Sequence, residues 1–506
     1  MCGIVAIYGD NASRWASHLD TMLSRLSHRG PDDRGTYVGS NIALGQTRLS
    51  IVDVAGGRQP IFAEDGQKCV ICNGEIYNHL ALRDELLQHQ FRTNSDSEVI
   101  VHLFEELDEE SVSRLDGMFA FVVYDGKDIL AARDPLGIKP LYQGRRDGCL
   151  FFASELKALD GLVDSIQEFP PGHYYSSKKG LVQYYRLPEI VDRNDSVDET
   201  SKTLQQKLSQ AVQKRWMSDV PLGCFLSGGI DSSLICAISK ETFDHLDTFS
   251  VGLGEDATDI IYARKVADFL GTDHHEYIYT SGEVLEALPD VIYHLESFDP
   301  ALVRSAIPCY FVSKLAKDYV KVILTGEGSD EVFAGYHYFK QFSCKEDVHE
   351  ESVRILTGLH NLNLQRVDRS TMAHSIEGRV PFLDIDFVEY AMSIDPRLKL
   401  TGKGRRIEKW LLRQAFADCL PDEIIWRPKV EFAAGCGSER LLAELLEDEI
   451  TDAEFEQERK RLEDVQISSK EELYYFRIFR SLFSTDVDIK AIGRWKGGFA
   501  SEGLDQ

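Results

Sequence analysis

Ser227-Gly-Gly-Ile-Asp-Ser-Ser233 decides how this chain is read. Ahead of it, Val220-Pro-Leu-Gly-Cys-Phe-Leu226 is an apolar run of strand length. Behind it, Leu234-Ile-Cys-Ala-Ile-Ser-Lys240 continues as a helix with an apolar face. Strand, glycine turn and helix start together make an anion site, because glycines let the backbone close in and N–H groups then face the ligand. The lysine of a Walker loop is missing, so the fingerprint of P-loop NTPases is not met. Asp231 stands among the donors, where a carboxylate repels phosphate unless a divalent cation lies between them. The combination points to magnesium on pyrophosphate. The bland alternative is an ordinary glycine turn capped by serine and aspartate.

Downstream, strands alternate with helices: a strand over 246–253, a helix over 262–270, a strand over 276–279 and a helix over 284–295. A helix at about 306–317 and a strand over 320–324 follow. That rhythm predicts a parallel sheet covered on both faces, its ligand crevice at the carboxyl ends of the strands. A second loop, Thr325-Gly-Glu-Gly-Ser-Asp-Glu331, follows the last of these strands. Three acids directly after an apolar strand are costly unless they hold metal or move protons; the bland alternative is a solvated acidic loop.

The totals bound the rest. A chain of 506 residues is too long for one ordinary core, so two or three domains are expected. Acids outnumber bases 83 to 56, net −27, which argues against a nucleic-acid or anionic-membrane partner. No apolar run reaches the roughly 18–20 residues of a membrane span, and Met1-Cys-Gly-Ile-Val-Ala-Ile7 has no basic lead, so it is not a secretory signal. Ten cysteines without disulfide-like spacing are expected as free thiols of a cytoplasmic protein. Cys69-Val-Ile-Cys72 is not a metal clip, since residues three apart on a strand face opposite ways.

Cys2 becomes the first residue if the initiator Met is removed. It then carries its own base, an α-amine titrating near pH ~7.7–8.0. Polar clusters follow that a core does not need: Ser27-His-Arg-Gly-Pro-Asp-Asp33, Arg48-Leu-Ser-Ile-Val-Asp53, Asn73-Gly-Glu-Ile-Tyr-Asn78 and Ser95-Asp-Ser-Glu98, the last ahead of an apolar helix over 99–107. They supply a nucleophile, two oxyanion donors, an arginine for a carboxylate and acids for an ammonium, the parts for hydrolysing an amino-acid amide. Each cluster alone reads as a turn or a cap. Strands are expected over 45–54, 68–76 and 118–124. Between 188 and 202 the chain turns polar, and Ser196 with Glu199 reads as a capping box, which places a domain border near 195.

These clusters, with Ala132-Arg-Asp-Pro-Leu-Gly-Ile-Lys-Pro-Leu141 and Phe152-Ala-Ser-Glu-Leu-Lys157, resemble the class II glutamine amidotransferase domain, an N-terminal-nucleophile hydrolase, over about 1–185. The resemblance implies a four-layer αββα sandwich. It implies Cys2 as nucleophile, Asn73 and Gly74 as oxyanion hole, and Arg48 on the glutamine carboxylate within a binding segment of Leu49, Ser50, Ile51 and Val52. Glu75 and Asp96 would hold the amino group. The 227–233 stretch resembles the signature of the PP-loop ATP pyrophosphatases. Both glycine loops, together with Gly378-Arg-Val-Pro-Phe-Leu-Asp384 and Trp426-Arg-Pro-Lys-Val-Glu-Phe432, are similar to the synthetase domain of the glutamine-hydrolysing asparagine synthetases, to about residue 435.

That resemblance divides the chain into 1–195, glutaminase, and 196–506, an α/β synthetase. It implies aspartate, glutamine and ATP as substrates, an acyl-adenylate intermediate, and magnesium on Asp231 and Asp330; a homodimer is compatible with it. Ser227, Gly228, Gly229, Ser232 and Ser233 would cradle phosphates. Phe225, Leu226, Val251, Thr325 and Gly326 would line the adenine and ribose. Lys429 would sit on the phosphates, Glu327 would take a proton from ammonia, and Arg304 would hold the aspartate carboxylate. One departure stands in Ser297-Phe-Asp-Pro-Ala-Leu-Val-Arg304: several relatives carry threonines just before this arginine, whereas Ala301 and Leu302 cannot hydrogen-bond a substrate. Two other readings therefore stay open, an amide ligase for a different carboxylate and a non-catalytic protein that kept the fold.

Overall fold

The computed structural model describes residues 2–191, 195–400, 406–438, 441–447 and 449–484, with 487, 489 and 492–494. The segment from Trp495 onward, to which the sequence assigns no chemistry, lies outside the described residues, as do 192–194 in the polar stretch at the expected border.

The first half is built from strands whose side chains alternate between two buried faces, as the two-residue period of a pleated strand requires. Strand Cys2–Tyr8 lies inside a six-stranded antiparallel sheet, between Ile42–Arg48 and Cys149–Ala153. Ile4 and Ala6 face inward with Ile42 and Leu44, against Cys69, Ile71, Ala120 and Val122 of a second six-stranded antiparallel sheet. Val5 and Ile7 face the other way, onto helix Leu19–Arg25. The outer face of the second sheet packs Phe119 and Phe121 against Val99, Ile100 and Leu103 of helix Glu98–Leu107. Helix, sheet, sheet, helix is the four-layer sandwich expected from the resemblance.

The strand expected over 45–54 stops at Arg48. The Arg48 guanidinium donates to the carbonyls of Val52, Asp53 and Val54, and Asp53 turns the chain at φ +50°. Residues 49–54 therefore curl into a loop instead of extending the ladder.

Helix Val197–Lys214 opens the second half. Its capping box is formed: Glu199 N–H donates to Ser196 Oγ, and Ser196 N–H to the Glu199 carboxylate. The second half holds a five-stranded parallel sheet in the order Asp273–Ile278, Asp247–Gly252, Leu222–Phe225, Val322–Leu324, Glu377–Arg379. The helix expected at 306–317 starts earlier, as Pro300–Ala316. Asp299 caps it by accepting the Leu302 N–H at 3.0 Å, and Pro300 fits the first turn. Among the described residues no helix is long and apolar enough to cross a membrane.

Candidate functional sites

Leu222–Phe225 comes first in sequence and lies centrally, with later strands added on both its sides. The crevice of such a sheet opens at the carboxyl ends of the strands flanking that reversal. Residues 226–229 and 325–328 leave neighbouring strands paired Cys224 to Leu324, so the two loops must meet. They touch: a Cβ on Gly326 would stand 2.8 Å from the Ser232 nitrogen. Gly228 turns at φ +68°, and a Cβ there would lie 2.4 Å from the Tyr262 backbone. The turn itself is pinned by the Ser227 N–H donating to Ser232 Oγ at 3.1 Å, and Arg427 donates to the Ser227 carbonyl at 3.1 Å.

Between the loops lies a cavity of about 330 Å³. Of the expected nucleotide residues, Phe225, Leu226, Ser227, Gly229, Asp231, Ser232, Val251, Thr325 and Gly326 line it, with Glu327, Asp330 and Lys429. Gly228 and Ser233 do not. Gly228 shapes the turn against Tyr262, and Ser233 is fully buried with its N–H on the Gly229 carbonyl.

Asp231 and Asp330 face one another across Lys409, whose Nζ lies 2.6 Å from an Asp231 oxygen and 2.7 Å from an Asp330 oxygen. Lys429 reaches the other Asp330 oxygen at 2.6 Å. Burial alone would raise Asp330, but the Lys409 and Lys429 charges outweigh it and hold this carboxyl well below its ordinary range. Burial, then the Asp330 charge, carries Glu331 up to about 7. Two carboxylates that converge on one cation, in a pocket of hydroxyls and N–H groups, supply the kind of oxygen donors that magnesium takes. The sequence reading missed Lys409. It lies 178 positions from Asp231, and its backbone sits at φ +56°, a left-handed conformation that nothing local announces for lysine. Glu327 is paired with Arg366, which also lines the cavity and was likewise missed.

Arg304 lines the same cavity, but its guanidinium fork grips Glu471, with Nε 2.8 Å from one oxygen and the second nitrogen on the other. Tyr475 donates to the same carboxylate at 2.7 Å. Glu471 belongs to helix Lys470–Leu482, in the region to which the sequence assigns no chemistry.

The second site lies at the open end of the sandwich. Cys2 and Asn73 sit on facing sheets, and the Cys2 N–H donates to Asn73 Oδ1 at 3.0 Å. Asn73 Nδ2 is buried without a hydrogen-bond partner among the described residues, a donor left over beside Cys2. Gly74 is obligatory, since a Cβ there would lie 2.0 Å from the Met118 carbonyl oxygen. Burial raises the Cys2 thiol above its ordinary range, and the Leu49 N–H and the Arg48 charge work the other way. Arg48 lies beside Cys2 in the cross-strand register, with guanidinium N–H groups committed to the 52–54 carbonyls.

Glu75 and Asp96 are both buried, 4% and 3% exposed. Burial pushes Glu75 well above the carboxylate range, and the charges of Glu377 and Asp96 push it further, against Arg379. Burial carries Asp96 up to about 6, against the Ile76 N–H that it accepts at 2.7 Å. Two buried carboxyls that disfavour each other's charge make a place for a cation.

The sites are joined. Leu49, Ile51, Met118, Leu136 and Ile138 of the first half share one apolar cluster with Leu226, Ile230, Val322 and Leu383 of the second. Edge strand Glu377–Arg379 brings Arg379 to 3.8 Å from Glu75, and the Arg379 carbonyl accepts the Thr325 N–H at 2.9 Å.

Residues 1–172 match the glutamine amidotransferase domain family, and residues 203–347 and 340–494 match the asparagine synthase family. Asparagine synthetase [glutamine-hydrolyzing] 2 of Arabidopsis thaliana is 42% identical over 96% of this chain and 88% of its own length. The maize asparagine synthetase [glutamine-hydrolyzing] is 40% identical over 96% of this chain and 87% of its own. Asparagine synthetase [glutamine-hydrolyzing] 2 of Oryza sativa subsp. japonica is 43% identical over 86% and 78%. Identity at this level runs through both halves and keeps their order, and with a thiol beside a free amide donor in one half and paired loops over two aspartates in the other, the chain belongs to the glutamine-hydrolysing asparagine synthetase family.

Proposed function

We propose that this protein makes L-asparagine from L-aspartate, with glutamine as nitrogen donor and ATP as activating substrate. The observation that carries the reading is one chain holding both half-sites, joined by an apolar seam from Leu49 to Leu226. In the first site, Cys2 Sγ attacks the glutamine side-chain carbonyl once its proton has passed to the α-amine freed by Met1 removal. Asn73 Nδ2 and the Gly74 N–H receive the developing oxyanion. Arg48 faces the α-carboxylate over the 49–52 segment, and Glu75 and Asp96 take the ammonium. Ammonia leaves, and water resolves the thioester to glutamate.

In the second site the aspartate side-chain carboxylate displaces pyrophosphate from ATP, giving aspartyl-AMP. Ammonia then displaces AMP, giving up a proton to Glu327. Asp231 and Asp330 would hold Mg2+, which supplies neutralising charge to the pyrophosphate; Lys409 and Lys429 supply the rest from the protein. Residues 226–233 wrap the phosphates, while Phe225, Val251 and Thr325 flank the nucleoside. Ten cysteines, every one free, suit the reducing cytoplasm.

A different acceptor carboxylate is the second reading. It is favoured by the apolar Ala301 and Leu302 on the cavity wall and by the grip of Glu471 on Arg304. Incubation with ATP, Mg2+, glutamine and a panel of carboxylates separates the two. AMP and amide should form with aspartate at the highest kcat/KM; faster turnover of another acid would reassign the acceptor.

A further inference from the structure

Away from both sites, four side chains converge on the outer layer of the first domain. Glu64 follows strand Ile61–Phe62, His89 stands in the loop after helix His79–Glu85, and His102 and Glu105 share one face of helix Glu98–Leu107. One ligand atom from each lies within 4.8 Å of all the others. His89 Nδ1 is 3.0 Å from Glu64 and 3.5 Å from Glu105; His102 Nδ1 is 3.2 Å from Glu64 and 3.1 Å from Glu105.

Each Nδ1 hydrogen-bonds one carboxylate, His89 with Glu64 and His102 with Glu105. Each also faces a second carboxylate, at 3.5 and 3.2 Å, that its single proton cannot serve. Glu64 Oε2, buried, makes no hydrogen bond even with His102 Nδ1 beside it. A cation at the centre satisfies all four atoms at once. With metal–ligand bonds of about 2.0–2.2 Å, the edges of a tetrahedron are roughly 3.3–3.5 Å; the four nitrogen–oxygen contacts, which use both Glu64 oxygens, span 3.0–3.5 Å, so small side-chain shifts would close the shell. The surroundings are those of a metal shell. His89 Nε2 has Glu106 at 3.3 Å, His102 Nε2 has Glu98 at 3.6 Å, and Lys68 Nζ holds the other Glu105 oxygen at 3.1 Å. A carboxylate thus stands near the far nitrogen of each imidazole, placed to tighten onto it when the near nitrogen binds an ion. Glu64, a third exposed, leaves a way in for the ion.

We propose that Glu64, His89, His102 and Glu105 form a structural zinc site. Two imidazole nitrogens and two carboxylate oxygens in a closed tetrahedron suit zinc, and no open position is left for chemistry. The ion would clip helix Glu98–Leu107 to the 86–94 segment that leads to Asp96.

The test uses the full chain stripped by chelator and then offered ZnCl2 alone. Gel-filtered protein should retain one more zinc equivalent than His89→Gln or Glu105→Gln, by elemental analysis, and zinc should raise the unfolding temperature of the parent only. Cobalt(II) chloride should give a tetrahedral absorption band that both variants lose. Glu106→Gln, half-exposed and outside the ligand set, should weaken zinc about 10–100-fold while folding normally. Equal zinc content and equal thermal response in parent, His89→Gln and Glu106→Gln would overturn the site and leave a histidine–glutamate hydrogen-bond cluster.

Discussion

Glu75→Gln separates the two roles that a buried carboxylate can have here. Glu75 is 4% exposed, beside Asp96 and Glu377, with Arg379 at 3.8 Å. As a ligand for the glutamine ammonium, it contributes one charge-assisted bond, worth about 1.5–3 kcal/mol. Its loss should raise KM for glutamine about 10–100-fold. Synthesis from added ammonia should keep its rate. Stability should move the opposite way. In the folded chain burial, reinforced by Glu377 and Asp96, raises this carboxyl above its unfolded value of about 4.3, so the group destabilises the fold at every pH above that value. A neutral amide of the same shape removes the cost, and Arg379 keeps Glu377 at 2.6 Å. The unfolding midpoint at pH 7.5 should therefore rise, by roughly 2–4 °C for each kcal/mol recovered, and the gain should vanish below pH ~4. Paired steady-state kinetics and thermal scans read both effects. An unchanged glutamine KM together with a lowered midpoint would refute the reasoning and make Glu75 a counter-ion of Arg379.

Cys2→Ala should abolish glutamine-dependent synthesis and leave ammonia-dependent synthesis intact; loss of both in a folded variant would argue against separate sites. Glutamine binding to that variant, followed by calorimetry, should weaken as pH falls through about 6, because Asp96 must be ionised to grip an ammonium and protonates there. Asp96→Asn should flatten that dependence. Asp231→Asn should stop AMP and pyrophosphate formation while glutaminase activity persists, since an amide is a weak ligand for magnesium; a near-parental adenylation rate would remove the metal role. Arg304→Lys should raise KM for aspartate tenfold or more over that for ATP. An unchanged value would leave Arg304 as the partner of Glu471.

What could be read from the sequence was what is local. Strand, glycine turn and helix are adjacent in the chain, so the 226–233 loop announces itself, and the capping box at Ser196 needs only four residues. The loop 325–331 was legible because acids seldom follow an apolar strand. Lys409, Arg366 and Glu471 were not, for a shared reason. Lys409 and Arg366 line the cavity and Glu471 holds Arg304 on its wall, each through a contact spanning dozens to hundreds of positions, and a charged side chain reads as a solvated face until its partner is known. His89 and His102 were passed over likewise, because Glu64, His89 and the helix carrying His102 and Glu105 are separate elements that only the fold brings together.

The junction between the halves shows why their geometry is fixed. Arg29 donates to the Cys2 carbonyl at 3.0 Å, and its guanidinium meets Glu155 and Asp368, each at 2.7 Å. Arg369 reaches Glu155 and Glu296, and Lys157 bridges the same two acids at 2.5 and 3.0 Å. All six are 4% exposed or less, three acids against three bases, with buried Lys139 a further base 4.0 Å from Asp368, so the cluster is costly in any part. Such a lattice adds little net stability over an apolar interface of equal volume, but removing one member strands another buried charge. Its members alternate between the halves: Arg29, Glu155 and Lys157 from the first, Glu296, Asp368 and Arg369 from the second. Any rotation or slide of one half on the other would break several pairs at once. The lattice therefore favours the one arrangement in which all its pairs are made. Because Arg29 also holds the Cys2 carbonyl, that arrangement includes the position of Cys2 relative to the 226–233 and 325–331 loops.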